Sequence, residues 1–473
     1  MESDGDRVRT QRLNPTSTAR PAERALVVEP VIRGARAADT SRVTDVARPV
    51  EARIDEAIGL ARALDLEIVH SGIVPLKVVR PATFIGKGKT EELAGIVKSL
   101  DVGLVVMDCA LSPVQQRNLE KAWGAKVIDR TGLILEIFGR RARTREGTLQ
   151  VEHAHLTYQK SRLVRSWTHL ERQRGGYGFL GGPGETQIEA DRRVISERLA
   201  RIEADLEKVK RTRKLHRDSR KRVPYPVVAF VGYTNAGKST LFNRLTRASV
   251  LSADMLFATL DPTLRGIDLP HGGRIILSDT VGFISDLPTM LVAAFRATLE
   301  EVIEADVIAH VRDISHGDSD AQAADVRRVL GDLGIDLDGG DGARVIEIWN
   351  QIDKLDPAMR TQLENTRDRK PEGERPVMLS AVTGEGTDTL LAEIEGRLSL
   401  SRAVLTVHIE PSDGKGLSWL YRQAEVLSRE DAEDGCVAVT VRADSRKAEE
   451  IRTRYKGAVS TGHRPGADEA EQD

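Results

Sequence analysis

Cysteine is nearly missing from this chain of 473 residues: there are two, Cys109 and Cys436, and they form neither a metal-ligand nor a redox spacing. They fit a reducing compartment and are assigned no chemistry. No apolar run approaches membrane-spanning length, and the N-terminus is polar with scattered arginines instead of a hydrophobic signal core. A cytoplasmic chain without stable membrane insertion is expected, partial membrane association being left open. Net charge is also almost absent, at -2, although that figure conceals an uneven distribution. What is present is an ordinary 40% hydrophobic content on a length sufficient for three or four domains.

The most informative stretch runs from Gly232 to Thr240. Pro226–Val231 before it reads as a buried strand, and Thr240–Leu245 continues as a helix, which is the setting a phosphate-binding loop requires. Gly232 and Gly237 permit close backbone approach, and the N–H groups of Tyr233, Thr234, Asn235 and Ala236 converge with the helix N-terminus on phosphate oxygens. Lys238 supplies a point charge to the terminal phosphates, while the Ser239 hydroxyl ligates Mg²⁺. A glycine turn in an unrelated α/β domain is the bland alternative, and the flanking strand and helix weigh against it.

Four further elements follow in order. The apolar strand Arg274–Ser278 ends in Asp279, Thr280, Val281 and Gly282, where a carboxylate can hold Mg²⁺ through water and Gly282 lets a backbone N–H face the γ-phosphate. Between these elements lie Phe257, Ala258, Thr259, Leu260 and Asp261, a turn-rich switch whose Thr259 hydroxyl can reach the metal while the terminal phosphate is present. The strand Arg344–Trp349 ends in Asn350, Gln351, Ile352 and Asp353, and the Asp353 carboxylate can accept the paired N–H donors of guanine. Finally, Pro376–Leu379 precedes Ser380 and Ala381, whose backbone N–H groups can contact the guanine oxygen. Lys238, Thr259 and Gly282 are the expected catalytic positions.

With these motifs in place the chain resembles the translation-factor-related GTPases and, among them, the HflX family of ribosome-associated GTPases. The resemblance runs from about residue 25 to about residue 400. Besides Phe257–Asp261 it rests on Pro81–Lys89, Asp129–Leu135, Arg141–Gly147, Trp167–Arg172 and Gly182–Gln187. It implies a GTPase with a low basal rate that the ribosome stimulates, because Phe283 stands where many small GTPases place a water-orienting Gln. It also implies potassium at Asn235, the P-loop position that helps hold a monovalent cation in potassium-activated relatives. One departure is Gln351, which replaces the usual Lys whose stem covers the base. Guanine preference is expected to survive through Asp353, with weaker affinity.

The hidden charge asymmetry lies upstream. Residues 140–222 hold 22 Lys and Arg against 11 Asp and Glu, or +11, leaving -13 for the remainder. Charge concentrated in this way is the footprint of a polyanion-binding element, against the default of a solvated helix face. Leu149, Leu156, Leu163, Trp167 and Leu170 form one helical stripe, and Ile188, Ile195, Leu199, Ile202, Leu206 and Val209 form another. Between them residues 174–187 are rich in glycine but carry aromatics, giving a helical hairpin with a mobile tip. Arg172 and Arg174 beside Tyr177 and Phe179 suit phosphate pairing and base stacking in RNA. The resemblance places this tip in the large ribosomal subunit near its peptidyl-transferase region.

The expected fold class is α/β: a P-loop GTPase domain preceded by a small parallel α/β domain and a long antiparallel helical hairpin, and followed by a small α+β domain. The expected boundaries are a disordered arm over 1–24, the α/β domain over 25–140, the hairpin over 141–222, the GTPase over 223–400, the α+β domain over 401–464 and a disordered acidic tail over 465–473. In the first domain, strands at Glu67–Val69 and Val102–Met107 alternate with helices at Val50–Ile58, Thr90–Val97 and Val114–Leu119. The last domain holds strands at Val404–Ile409 and Cys436–Val441 with a helix over Leu417–Leu427. The function expected is a monomeric GTP-hydrolysing factor that binds GTP and GDP, docks on large-subunit RNA and dissociates stalled or idle ribosomes. Two other classes stay open: an RNA-remodelling ATPase acting through the first two domains, and a nucleotide-gated module for a protein or membrane partner.

Overall fold

The computed structural model describes residues 23–32, 48–173, 187–220, 225–248, 256–260, 262–270, 273–287, 299–335, 344–400, 403–410, 413–431, 436–443, 445–457 and 459–461. Its first compact unit is built on a four-stranded parallel sheet in the order β2-β1-β3-β4. These strands are β1 (Arg24–Ile32), β2 (Glu67–Leu76), β3 (Leu104–Met107) and β4 (Lys126–Asp129). Three helices intervene: α1 (Val50–Arg62), α2 (Lys87–Ser99) and α3 (Pro113–Trp123). Local sequence fixes α3 tightly, since Ser112 and Gln115 form a reciprocal capping box, Pro113 begins the helix and Gly124 ends it with φ 65°. The core joins Leu26, Val28, Val105 and Met107 of the strands to Leu93, Leu119 and Trp123 of the helices.

The sequence reading assigns no strand to β1, yet β1 is central to the sheet and Ala25–Pro30 is buried throughout. A strand covered on both faces shows no alternation, and here Glu29 and Pro30 interrupt the apolar run as well. Glu29 is accommodated beside Arg53, and burial together with the nearby Asp108 pushes its carboxyl up to about 9. The arm and tail for which the sequence expects disorder lie outside the described residues, except for Glu23 and Arg24, the latter opening β1. The same holds for residues 174–186 of the glycine-rich tip.

Helix α4 (Arg130–Arg141) follows β4 directly, and α5 (Arg145–Gln173) and α6 (Gln187–Arg220) are the two long helices. Arg198 pairs with Glu152 at 2.7 Å and Glu203 meets His153 at 3.1 Å, linking α5 to α6. Val151, Ala154, Leu199 and Ile202 are buried.

The next sheet has six strands in the order β10-β9-β8-β5-β7-β6. They are β5 (Val227–Gly232), β6 (Thr263–Asp268), β7 (Arg274–Asp279), β8 (Val307–Asp313), β9 (Val345–Asn350) and β10 (Val377–Met378), and only β6 pairs antiparallel. The helices described here are α7 (Lys238–Thr246), α8 (Ser319–Asp332), α9 (Pro357–Asp368) and α10 (Thr387–Leu400). Loops leaving the carboxyl ends of β5, β7, β9 and β10 carry most of the nucleotide-site candidates singled out above, and Phe257–Leu260 precede β6.

An antiparallel sheet of β11 (Ala403–Ile409), β12 (Glu425–Asp431), β13 (Val437–Ala443) and β14 (Val459–Thr461) completes the fold, in the order β12-β13-β11-β14. It carries α11 (Gly414–Gln423) and α12 (Ser445–Arg454). The helix expected over Leu417–Leu427 is corrected here: it ends at Gln423, and Glu425 and Val426 pair with Arg442 and Val441 of β13. Strand pairing outweighs local helix preference. Among the described residues no helix is long and apolar enough to cross a membrane.

His310 of β8 is 2% exposed, and burial pushes it from 6.5 down to about 3 despite the neighbouring Glu347. Glu347 resists its own burial through the Arg312 guanidinium and sits at about 2 instead of 4.5. Unfolded His310 takes up a proton near 6.5 and folded His310 does not, so stability falls as pH drops from 6.5 towards 3, with Glu347 adding to the loss below 4.5. The expected slope for one proton is about 1.4 kcal/mol per pH unit. Thermal unfolding followed by circular dichroism at pH 7 and pH 5 tests this: wild type loses midpoint on acidification, and His310→Leu flattens the loss. Identical pH dependence in the two proteins refutes the assignment.

Candidate nucleotide site

The loop after β5 begins with a forced close approach. Gly232 has φ 151°, and a Cβ there would lie 2.1 Å from the Val311 carbonyl oxygen, so β8 leaves room for no side chain. Gly237 is similar at φ 91°, where a Cβ would meet Asn350 Nδ2 at 2.2 Å. Lys238 then opens α7, buried, with its amine donating to the carbonyls of Gly232 at 3.0 Å and Tyr233 at 2.6 Å. Burial lowers this amine to about 8 while the Asp279 carboxylate opposes the fall. An ammonium held by its own loop is well placed to meet an incoming anion.

Asp279, at the end of β7, is the centre of the site. The hydroxyls of Ser239 and Thr259 donate to its Oδ2 at 2.7 and 2.9 Å, and the two hydroxyl oxygens lie 2.9 Å apart. Each hydroxyl has one proton, and with both directed at Asp279 their lone pairs remain for another partner. Asp279 Oδ1 is buried without a hydrogen-bond partner, and burial pushes the carboxyl pKa up against these hydrogen bonds. Hard oxygen donors with an unsatisfied carboxylate oxygen fit a small divalent cation such as Mg²⁺.

Beyond Asp279, Thr280 Oγ1 donates to the Phe230 carbonyl at 2.6 Å and Val281 is buried. A Cβ on Gly282 would lie 2.8 Å from Thr234 Cγ2, 2.9 Å from Thr234 Cα and 3.1 Å from Lys238 Nζ. Phe283, 1% exposed, is tied to the loop through its N–H to the Gly232 carbonyl at 3.1 Å and its carbonyl from the Thr234 N–H at 2.8 Å. The Ser285 N–H donates to the Tyr233 hydroxyl at 2.7 Å, and Arg48 donates to the same hydroxyl at 3.2 Å while lying 3.3 Å from Asp318. Arg48, Ser285 and Asp318 escape sequence reasoning, for Arg48 stands 185 positions from Tyr233 and outside any motif.

In the switch segment Phe257 has φ 57° and is buried, with its ring 4.6 Å from that of Phe138 in α4 at 75°. Thr259 and Leu260 are buried, Ala258 is half-buried and Asp261 lies outside the described residues. Of the positions expected to meet RNA, Arg174, Tyr177 and Phe179 lie outside the described residues, as does the side chain of Arg172.

The residues expected from the sequence to read the base follow β9 and β10. Asn350 spans two elements, donating to the Ala236 carbonyl at 2.8 Å and accepting from the Ala381 N–H at 3.0 Å. Gln351, at φ 67°, donates to the Asn235 carbonyl at 3.1 Å, so its shorter side chain still reaches the P-loop. Asn235 and Asp353 are exposed, Thr240 is half-buried and Ile352 is buried. One expectation changes: the Ser380 N–H donates to the Glu385 carbonyl at 3.0 Å and the Ala381 N–H to Asn350. Both N–H groups therefore already have an acceptor within the protein.

Family models cover most of the chain. A GTP-binding GTPase N-terminal model matches residues 51–139, a GTP-binding GTPase middle region 141–220, a 50S ribosome-binding GTPase 227–338 and an HflX C-terminal domain 367–463. GTPase HflX of Magnetococcus marinus is 50% identical over 383 residues, covering 80% of this chain and 86% of that protein. GTPase HflX of Escherichia coli is 46% identical over 371 residues, covering 77% and 84% respectively. A solved GTP-binding protein of Sulfolobus solfataricus in complex with GDP covers 80% of this chain and 99% of its own at 20% identity and a TM-score of 0.42.

The crowding at Gly282 gives a sharp expectation. Gly282→Ala forces backbone to move at Thr234 and displaces the Lys238 amine, so phosphate release from GTP falls on the order of a hundredfold, the loss typical of a displaced transition-state donor. Fluorescent GDP titration checks that GDP affinity changes by less than about threefold, since GDP leaves the terminal-phosphate position empty. Hydrolysis within about twofold of wild type overturns this role for Gly282.

Proposed function

This chain belongs to the HflX family of GTPases, and from that premise we propose that it spends its GTP cycle docking a basic hairpin on large-subunit ribosomal RNA and dissociating stalled or idle ribosomes. It hydrolyses GTP to GDP and phosphate. The observation that carries the coupling is the edge-to-face seat of Phe257 on Phe138. Phe257 lies two residues before Thr259, and Phe138 lies in the helix that precedes α5. A terminal phosphate that repositions Thr259 therefore changes the load on Phe138, from which the chain enters the +11 segment over residues 140–222. The matched model of a 50S ribosome-binding GTPase supports the same partner.

In this reading the P-loop N–H groups other than that of Thr234, which the Phe283 carbonyl engages, and the Lys238 ammonium would bind the phosphates, and Ser239 and Thr259 would hold Mg²⁺ with Asp279 acting through water. Bound Mg²⁺ neutralises charge between the terminal phosphates. The Gly282 N–H faces the γ-phosphate. Phe283 offers no group to orient water, which accords with a low basal rate raised by the ribosome. Asn235 is assigned to potassium, and Asp353 reads the guanine N–H edge. The hairpin tip, through Arg172, Arg174, Tyr177 and Phe179, meets RNA.

Sedimentation of purified large subunits with the protein bound to GTP, GDP or a nonhydrolysable analogue tests the docking. Retention is expected to be greatest with the analogue and to fall steeply with added salt; absence of cosedimentation in all three states removes the ribosome as partner. Hydrolysis measured in potassium and in sodium tests Asn235, with a faster rate in potassium expected and equal rates ending that assignment.

A further inference from the structure

The guanine-facing loop is held from a side that its own motif does not include. Arg244, on α7, donates from Nε to the Ala381 carbonyl at 2.6 Å and from Nη2 to the Val382 carbonyl. The next turn of the loop is shaped around the guanidinium: Gly384 has φ 95°, and a Cβ there would lie 2.6 Å from Arg244 Nη1. Gly384 in turn donates to the Ser380 carbonyl at 2.8 Å, and the Thr383 N–H donates to Ser380 Oγ at 3.1 Å. One side chain thus fixes two successive peptide planes, and the planar fork of arginine suits two carbonyls at once.

The geometry of a trans peptide determines the consequence. The N–H of Val382 belongs to the same planar unit as the Ala381 carbonyl and points opposite to it. With that carbonyl drawn towards α7, the Val382 N–H faces away from α7. The Ser380 and Ala381 donors are engaged within the protein, as described above, and Val382 is 66% exposed. We propose that Arg244 is a specificity-positioning residue: its grip on the Ala381 and Val382 carbonyls aims the Val382 N–H at the 6-oxygen of guanine. This rests on the reading that places guanine between Asp353 and the Ser380–Ala381 loop. It divides base recognition into two parts, with Asp353 reading the N–H edge and the loop under Arg244 reading the oxygen.

Equilibrium competition against fluorescent GDP, with GTP, 6-thio-GTP and ITP as competitors, separates the two. Sulfur is a weak acceptor, so 6-thio-GTP reports the oxygen contact, whereas ITP lacks the 2-amino group and reports Asp353. In Arg244→Ala the affinity for GTP is expected to fall about tenfold, as expected for one charge-aimed hydrogen bond, while 6-thio-GTP falls less than about threefold. The GTP-to-ITP ratio stays as in wild type. Arg244→Lys, which reaches one carbonyl at a time, gives an intermediate GTP-to-6-thio-GTP ratio and carries the test if the alanine variant does not fold. Equal proportional weakening for all three nucleotides, or an unchanged GTP affinity, overturns the proposal and leaves Arg244 a structural strut. Asp353→Asn distinguishes failure of the underlying reading: a GTP-to-ITP ratio unaltered in that variant overturns the placement of guanine itself, and the Arg244 proposal with it.

Discussion

The site is organised around one buried oxygen, Asp279 Oδ2, on which the Ser239 and Thr259 hydroxyls converge. It joins α7, the switch segment and the end of β7, three pieces of chain that only the fold brings together. A carboxylate withdrawn from water is costly unless hydrogen bonds or a counter-charge replace its hydration. The two hydroxyls and the nearby Lys238 ammonium provide that replacement on one side, while Oδ1 stays unmatched. Such an arrangement is stable enough to form and incomplete enough to favour a cation.

Steric exclusion around this centre is as specific as the bonding. β8 forbids a side chain at Gly232, Asn350 forbids one at Gly237, and Thr234 with Lys238 forbids one at Gly282. The backbone bonds between Gly232, Thr234 and Phe283 then hold the segment after Gly282 against the phosphate loop. Tyr233 extends that clamp to Ser285, and Arg48 and Asp318 close it from outside the loop. Phe283 is thereby a packing residue whose backbone sets the position of its neighbours, while its ring contributes no polar group to hydrolysis.

The turn after β9 shows how a substitution in a motif can preserve a contact. By residue type, Gln351 is shorter and uncharged beside the usual Lys. In the fold its amide nevertheless spans to the Asn235 carbonyl, from a residue whose backbone is left-handed. The lost charge is a separate matter from this link. Asn350 makes a second link, to Ala236 and Ala381, so the loops after β5 and β10 are joined through side chains from one short turn.

The sequence alone was sufficient for the strand, glycine turn and helix around Gly232–Thr240, the α/β class and the concentration of positive charge over residues 140–222. Each of these is encoded within a few consecutive residues or in composition, where side-chain period and glycine placement are directly visible. Central strand β1 stayed hidden because burial on both faces removes alternation, and the end of α11 was set by pairing with β13. Only tertiary structure decided that Phe257 meets Phe138, that Arg48 reaches Tyr233 and that Arg244 grips the loop after β10. These partners lie roughly 120 to 185 positions apart, and no local propensity specifies a contact whose formation depends on the whole sheet closing first.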